Sequence, residues 1–183
     1  MNFRNTTERY GALSIGMHWL MLLLLVAVYA AINLHDVAPK GSALRADLKT
    51  WHYMLGLCVF VLVAVRLLIR AFSGAVPRIA PDLPRWQEAL AKAMHVALYV
   101  FMVAMPLLGW LAVSAKGDPV PFFGLELPAL LGPSKALAHD LKEIHETIGT
   151  VGYYLIGLHA AAALFHHYVL RDTTLVRMLP TRG

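Results

Sequence analysis

Nine histidines punctuate this 183-residue chain: His18, His35, His52, His95, His139, His145, His159, His166 and His167. Several lie in stretches otherwise suited to hydrocarbon, such as GLHAAAALFHHYVLRD over 157–172, which reads as one unbroken helix. A polar ring in such a place is costly and needs a partner. The plain partner is a backbone carbonyl or a water; the chemically interesting one is a metal. Rotation along a helix separates the candidates. At about 100° per residue, His159 lies about 40° from His145 around the axis, and His166 falls within about 20° of His159. His167 is swung roughly a quarter turn away by the same arithmetic. One stripe therefore carries three imidazoles.

The elements that must position them follow from composition. Hydrophobic residues make up 58% of the chain, charged residues 15%, and the mean hydropathy is +0.60, well to the apolar side of a soluble domain. Spans long enough to cross a bilayer, roughly 20 apolar residues each, are expected over approximately 13–34, 51–72, 94–115 and 144–170. The first is too long for a typical secretory h-region and is read as retained. The expected fold is all-α: an integral membrane four-helix bundle forming a single domain over 1–183.

Orientation follows from the basic residues, which accumulate on the cytoplasmic side. Ten of the sixteen belong to the N-terminal arm (Arg4, Arg9), the second connection with its span ends (Arg66, Arg70, Arg78, Arg85, Lys92) and the C-terminal tail (Arg171, Arg177, Arg182). Six belong to the other two connections. Both termini are expected to be cytoplasmic, in a multi-pass membrane protein. Topology then accounts for much of a pI near 9.5, and an anionic lipid surface rather than nucleic acid is the expected partner. The second connection, SGAVPRIAPDLP over 73–84, reads as extended. The segment 116–142 is the longest connection, and its end, SKALAHDLKEIHE, reads as a helix continuing towards the last span.

Depth supplies the remaining coordinate. Fourteen residues of helix rise about 21 Å, so His145 belongs near the outer face and His159 towards the inner one. His52 opens the second span at the outer face; His18 sits early in the first, towards the inner face. Two pairs result, His18 with His159 and His52 with His145, which is the requirement of two b-type haems with both axial positions filled. Gly56 and Gly149, each four residues after a ligand candidate, would let a flat macrocycle approach; ordinary close helix packing is compatible with the same glycines. Cys58 is the only cysteine and no C-x-x-C-H occurs, so haem would be held by coordination and packing alone. Zinc needs its donors gathered around one ion, and histidines split between two membrane faces do not supply that.

The segments MHWL, LKTWHYMLG, VRLLIR, MHVALYVFM and IHETIGTVGYYLIGLHAAAALFHHYVLRDTTLVRMLP together resemble the bacterial cytochrome b561 family over nearly the whole chain. The resemblance implies two haem b groups with His18, His52, His145 and His159 as axial, iron-binding ligands. It implies electron transfer from superoxide at the outer, periplasmic face to ubiquinone near the inner face, a superoxide:quinone oxidoreductase. His166 matches the family's quinone-side histidine, where an imidazole would hydrogen-bond a carbonyl and supply a proton. Where the characterised oxidase has a lysine in the second connection, Asp82 aligns here, reversing the charge; Arg78, four residues earlier, is the candidate substitute at the quinone site. His95, Arg66 and Arg70 are candidates for haem propionates. Lys40, Arg45 and Lys49 would form a local funnel for an anionic reductant.

Two other functions compete: a haem-bearing anchor subunit passing electrons between quinone and a partner dehydrogenase, and a metal transporter, which would be colourless. The physiological donor, the haem potentials and a homo-oligomeric state are left open by the residues alone.

Overall fold

The computed structural model describes residues 5–72 and 76–180. Arg4 and Arg182, two of the cations counted above, and Ser73, the start of the proline-rich connection, lie outside the described residues. Four long helices dominate: α1 (Ala12–Val37), α2 (Ala43–Phe72), α3 (Arg85–Lys116) and α4 (Lys135–Phe165). All four are long and apolar enough to cross a membrane. Large apolar side chains such as Leu23 and Tyr154 are 66% and 75% exposed, a cost in water that lipid removes.

The chain divides into two compact units, one comprising residues 1–20, 64–100 and 151–183, the other 21–63 and 101–150. In the second unit, α1 ends on an arginine cap: the Arg45 Nη1 donates to the carbonyls of His35 (2.7 Å), Ala38 (3.0 Å) and Asp36 (3.2 Å), satisfying the helix's last free acceptors. Ser42 starts α2, its hydroxyl accepting the Arg45 N–H at 3.2 Å. The end of α3 is a Schellman motif, with Gly117 at φ 82 and N–H bonds from Gly117 to Ser114 and from Asp118 to Val113.

The all-α expectation is modified there by a small hairpin. Strand β1 (Val120–Phe122) pairs antiparallel with β2 (Leu125–Leu127). Its two-residue turn has both central residues at positive φ, Phe123 at 48 and Gly124 at 85, the type I′ geometry that suits strand twist. Apolar contact holds it, since Val120 joins Leu57 and Val113 in a buried cluster flanked by Tyr53, Trp110, Phe122 and Leu127. After the hairpin, Ser134 caps α4, which runs without a break from Lys135.

In the first unit, the N-terminal arm, residues 76–84 and the C-terminal tail are cross-bonded. Arg78 N–H donates to Thr7 O, Thr173 N–H to Ala80 O, Ala80 N–H to the Thr173 hydroxyl, and the Trp19 indole to Met178 O at 2.8 Å. Buried Arg177 donates to Pro77 O and lies over the Tyr10 ring. Residues 76–84 carry no helix, as the three prolines require.

The last helix is not uniform. Beyond Phe165 it widens into a π-helical turn, His166–Leu170, closed by Arg171 in the left-handed region at φ 56. The expected single α-helix through 172 is thereby corrected: the wider turn changes the facing of His167 and everything after it, while His166, at its first position, still follows α geometry from His159.

Candidate functional site

Within the second unit, α2 and α4 bring His52 and His145 together, with ring centroids 6.1 Å apart and planes at 84°. Within the first, α1 and α4 bring His18 and His159 together at 6.2 Å and 61°. Two imidazoles bound on opposite sides of one metal, each through a nitrogen about 2 Å from it, hold their centroids about 6 Å apart. Both pairs have that spacing. All four rings are half-buried.

The surroundings bear on which nitrogen is available. His52 Nδ1 faces the Val28 carbonyl at 3.1 Å, which requires a proton on Nδ1 and leaves Nε2 as the free donor atom, the arrangement that orients a metal-bound histidine. His145 Nδ1 is buried without a hydrogen-bond partner that meets ordinary geometry. A Cβ on Gly109 would stand 3.3 Å from His145 Cε1, so glycine there is what admits the ring. Around Gly56 a Cβ would meet nothing within 4 Å, and around Gly149 only Met105 Cε at 3.5 Å. The Gly149 carbonyl accepts the Tyr29 hydroxyl at 2.7 Å.

The first-unit pair is more crowded. His95 from α3 brings a third ring to this place, 5.5 Å from His159. Arg66 Nη2 lies 3.1 Å from His18 Nδ1 and its guanidinium over the Tyr99 ring; a ring accepting there would carry its own proton on Nε2, so His18 would take a metal through Nε2 only with that bond given up. The spacing of residues gave no hint of that bond. Among the described residues no group of three or more His, Cys, Asp or Glu side chains converges to hold a metal ion.

His166 sits where the helix widens, and its Nδ1 meets the Asp172 carboxylate at 2.5 Å. Asp172 is 5% exposed and also accepts the Thr174 N–H through Oδ1 at 2.8 Å. Sequence reasoning missed Asp172, because a partner six residues on follows from the π turn and not from a 3.6-residue repeat. The His167 ring stands edge-on to its neighbour Tyr168, centroids 4.8 Å apart. Arg78 and Asp82 are exposed; Arg78 lines a cavity of about 570 Å³ with Thr7, Glu8, Ala80 and Thr173. His166 is not among the described residues lining that cavity. Of the cations placed in a funnel, Arg45 is committed to its helix cap and Lys49 lies over the Tyr53 ring. His35 pairs with Asp36, and exposed His139 with Glu143.

Burial alone would raise the Asp172 carboxyl, but the bonds from His166 and Thr174 outweigh it and hold the group below its ordinary 3.8. A carboxyl depressed in the folded state contributes stability that is complete above its unfolded value and is lost as pH falls through the folded one. Acid release of the 172–179 tail through this group is therefore expected only below about pH 4. Hydrogen exchange of the tail amides across pH 3–7 checks this; protection lost already near pH 6 would contradict it.

A family model described as prokaryotic cytochrome b561 matches residues 9–181. Cytochrome b561 homolog 1 of Escherichia coli K12 is 39% identical over 96% of this chain and 99% of its own. A Yersinia pestis protein named "Probable superoxide oxidase CybB" is 35% identical over 96% of this chain and 98% of its own. Cytochrome b561 homolog 2 of Escherichia coli K12 is 30% identical over 98% and 95%. With these matches and four helices of spanning length, this chain belongs to the prokaryotic cytochrome b561 family, as a multi-pass bacterial inner-membrane haem b protein of electron transfer.

Proposed function

We propose that this protein is a dihaem b oxidoreductase that oxidises superoxide at the periplasmic side and reduces ubiquinone near the cytoplasmic side. It is read as a single four-span cytochrome b domain over 1–183, a four-helix bundle with both termini cytoplasmic. The observation that carries the reading is the pair of imidazole couples, each from two different helices, each spaced about 6 Å between centroids. His18 and His159 would hold the inner haem, and His52 and His145 the outer.

When bound, each haem would supply one-electron exchange, with one imidazole couple to hold it. His18 with His159, and His52 with His145, would hold these groups from half-buried positions on different helices. Val28 fixes the His52 tautomer. Over a full cycle two superoxide anions become two dioxygen molecules, and one quinone takes two electrons and two protons to give a quinol. His166 is the proposed proton donor on the quinone side, with Arg78 as the candidate cation. The name of the Yersinia relative supports the superoxide half of this reading.

The test is to purify the protein in detergent, measure haem per chain, and mix it with superoxide with and without a water-soluble ubiquinone. Rapid haem reduction followed by quinone-dependent reoxidation is expected. A co-purifying dehydrogenase, together with no rapid reaction of the isolated protein with superoxide, would replace the enzyme by the anchor-subunit reading.

Gly109 gives a sharper check of the outer site. Alanine there forces the His145 ring to yield by a few tenths of an ångström, and valine by more. Gly109→Val is expected to lower occupancy of one haem while the other stays, and Gly109→Ala to keep both but shift the potential of one. Redox titration followed by haem quantification reads both effects.

A further inference from the structure

We propose that Asp172 is the positioning residue of the quinone side: it holds a proton on His166 Nδ1, so that proton delivery runs only through Nε2. This rests on the reading of His166 as the quinone-side histidine. The geometry is specific. Asp172 Oδ2 lies 2.5 Å from His166 Nδ1, Oδ1 takes the Thr174 N–H at 2.8 Å, and the side chain is 2% exposed. Both carboxylate oxygens are thus occupied, and the acid sits fixed rather than solvated. A carboxylate accepts only, so Nδ1 must carry the hydrogen between them.

Two local distortions build the pair. The π turn over His166–Leu170 widens the helix at the histidine, and left-handed Arg171 reverses the chain, bringing a residue six positions later back against the ring. Wide turns of this kind recur at functional sites, as does backbone held in the left-handed region. Arg177, buried on the same tail and bonded to Pro77 O, is a cation within electrostatic reach of Asp172, consistent with a carboxylate that stays charged.

In the step itself, the Nε2–H bond of the doubly protonated ring breaks and an O–H bond forms on a quinone carbonyl oxygen as the quinone accepts an electron released by the superoxide oxidation proposed above. The ring returns to its neutral Nδ1–H form, Asp172 keeps its charge, and water at the membrane surface restores the Nε2 proton. Orientation of a histidine by a buried carboxylate follows the same logic in hydrolases. Asp172→Asn reverses it. If Oδ1 still takes the Thr174 N–H, the amide NH2 faces Nδ1 and must donate, which drives the ring to the Nε2–H tautomer. That ring still hydrogen-bonds a carbonyl but is a poor acid when neutral.

The experiment uses the dithionite-reduced, haem-loaded protein in detergent with 15N-labelled histidine, His166 being assigned by comparison with His166→Gln. Wild type is expected to carry its proton on Nδ1, and Asp172→Asn to move it to Nε2. With a water-soluble ubiquinone, kcat of Asp172→Asn should fall about 10–100-fold with KM within about twofold and haem content unchanged. Wild-type Nδ1 lacking a proton would overturn the proposal even if the variant fails to assemble. So would an unchanged kcat in Asp172→Asn while His166→Gln is slow, the outcome of a purely structural anchor for the tail. An unchanged rate in His166→Gln would instead sink the quinone reading, and the positioning role with it.

Discussion

Alanine in place of His52 or His145 is expected to remove one haem b per chain, and alanine in place of His18 or His159 the other. The expectation rests on how little else would hold the groups. Cys58 is the only cysteine and no C-x-x-C-H occurs, so no thioether anchors a porphyrin and coordination must carry much of the affinity. Deleting one axial imidazole leaves a five-coordinate iron and a cavity where the ring stood. Each helix pair would keep its fold through contacts away from the ring: the hairpin cluster of Leu57, Val113 and Val120 beside the His52–His145 pair, and the Trp19–Met178 and Thr173–Ala80 bonds beside His18–His159. Haem per chain should therefore fall by half in each single variant, and the His52 and His145 variants should lose the same spectral component. His95→Ala is the control. Its ring lies 5.5 Å from His159 but is read as a propionate partner and not an iron ligand, and both haems should remain. Loss of one common haem from the His18 and His52 variants would overturn the pairing.

The approach of these four rings in two couples was legible in the sequence for a definite reason. Face and depth depend only on helical pitch and on where each span begins, and four long apolar runs make both readable. His145 and His159 are separated by fourteen residues of uninterrupted α-helix, so the arithmetic holds to the end of that run. It fails where the backbone departs from that pitch. The π turn at His166 has no signature in HHYVL, and Asp172 gained no meaning until the chain was seen to reverse at Arg171. The hairpin escaped for another reason. Its strands are three residues long, and its turn is Phe-Gly rather than a dipeptide with a strong turn preference. Arg45 read as a free cation because its partners are backbone carbonyls seven to ten residues away, which side-chain identity cannot reveal. The Arg66–His18 bond joins two helices across 48 positions, and no local pattern encodes it.

Glutamine at His166 is expected to separate the two halves of the reaction. Its side chain retains a hydrogen-bonding amide, so a quinone can still be held, but it has no proton to exchange near neutral pH. Haem content should stay at the wild-type level, because His166 makes no contact expected of a ligand and lies seven residues beyond His159. Reduction of the haems by superoxide should stay within about twofold for the same reason, since that step needs no proton from this ring. Quinone-dependent reoxidation should slow about 100-fold, the lower end of what a positioned acid contributes. Stopped-flow spectra reading the haem bands after superoxide addition resolve the two phases in one trace. His167→Gln is the companion variant: its ring stands edge-on to Tyr168 and its loss should change reoxidation far less. Arg78→Ala should raise KM for the quinone more than it lowers kcat, because a cation at that position binds and does not transfer a proton. Equal slowing of both phases in His166→Gln would place the histidine in the haem pathway and remove it from the quinone side.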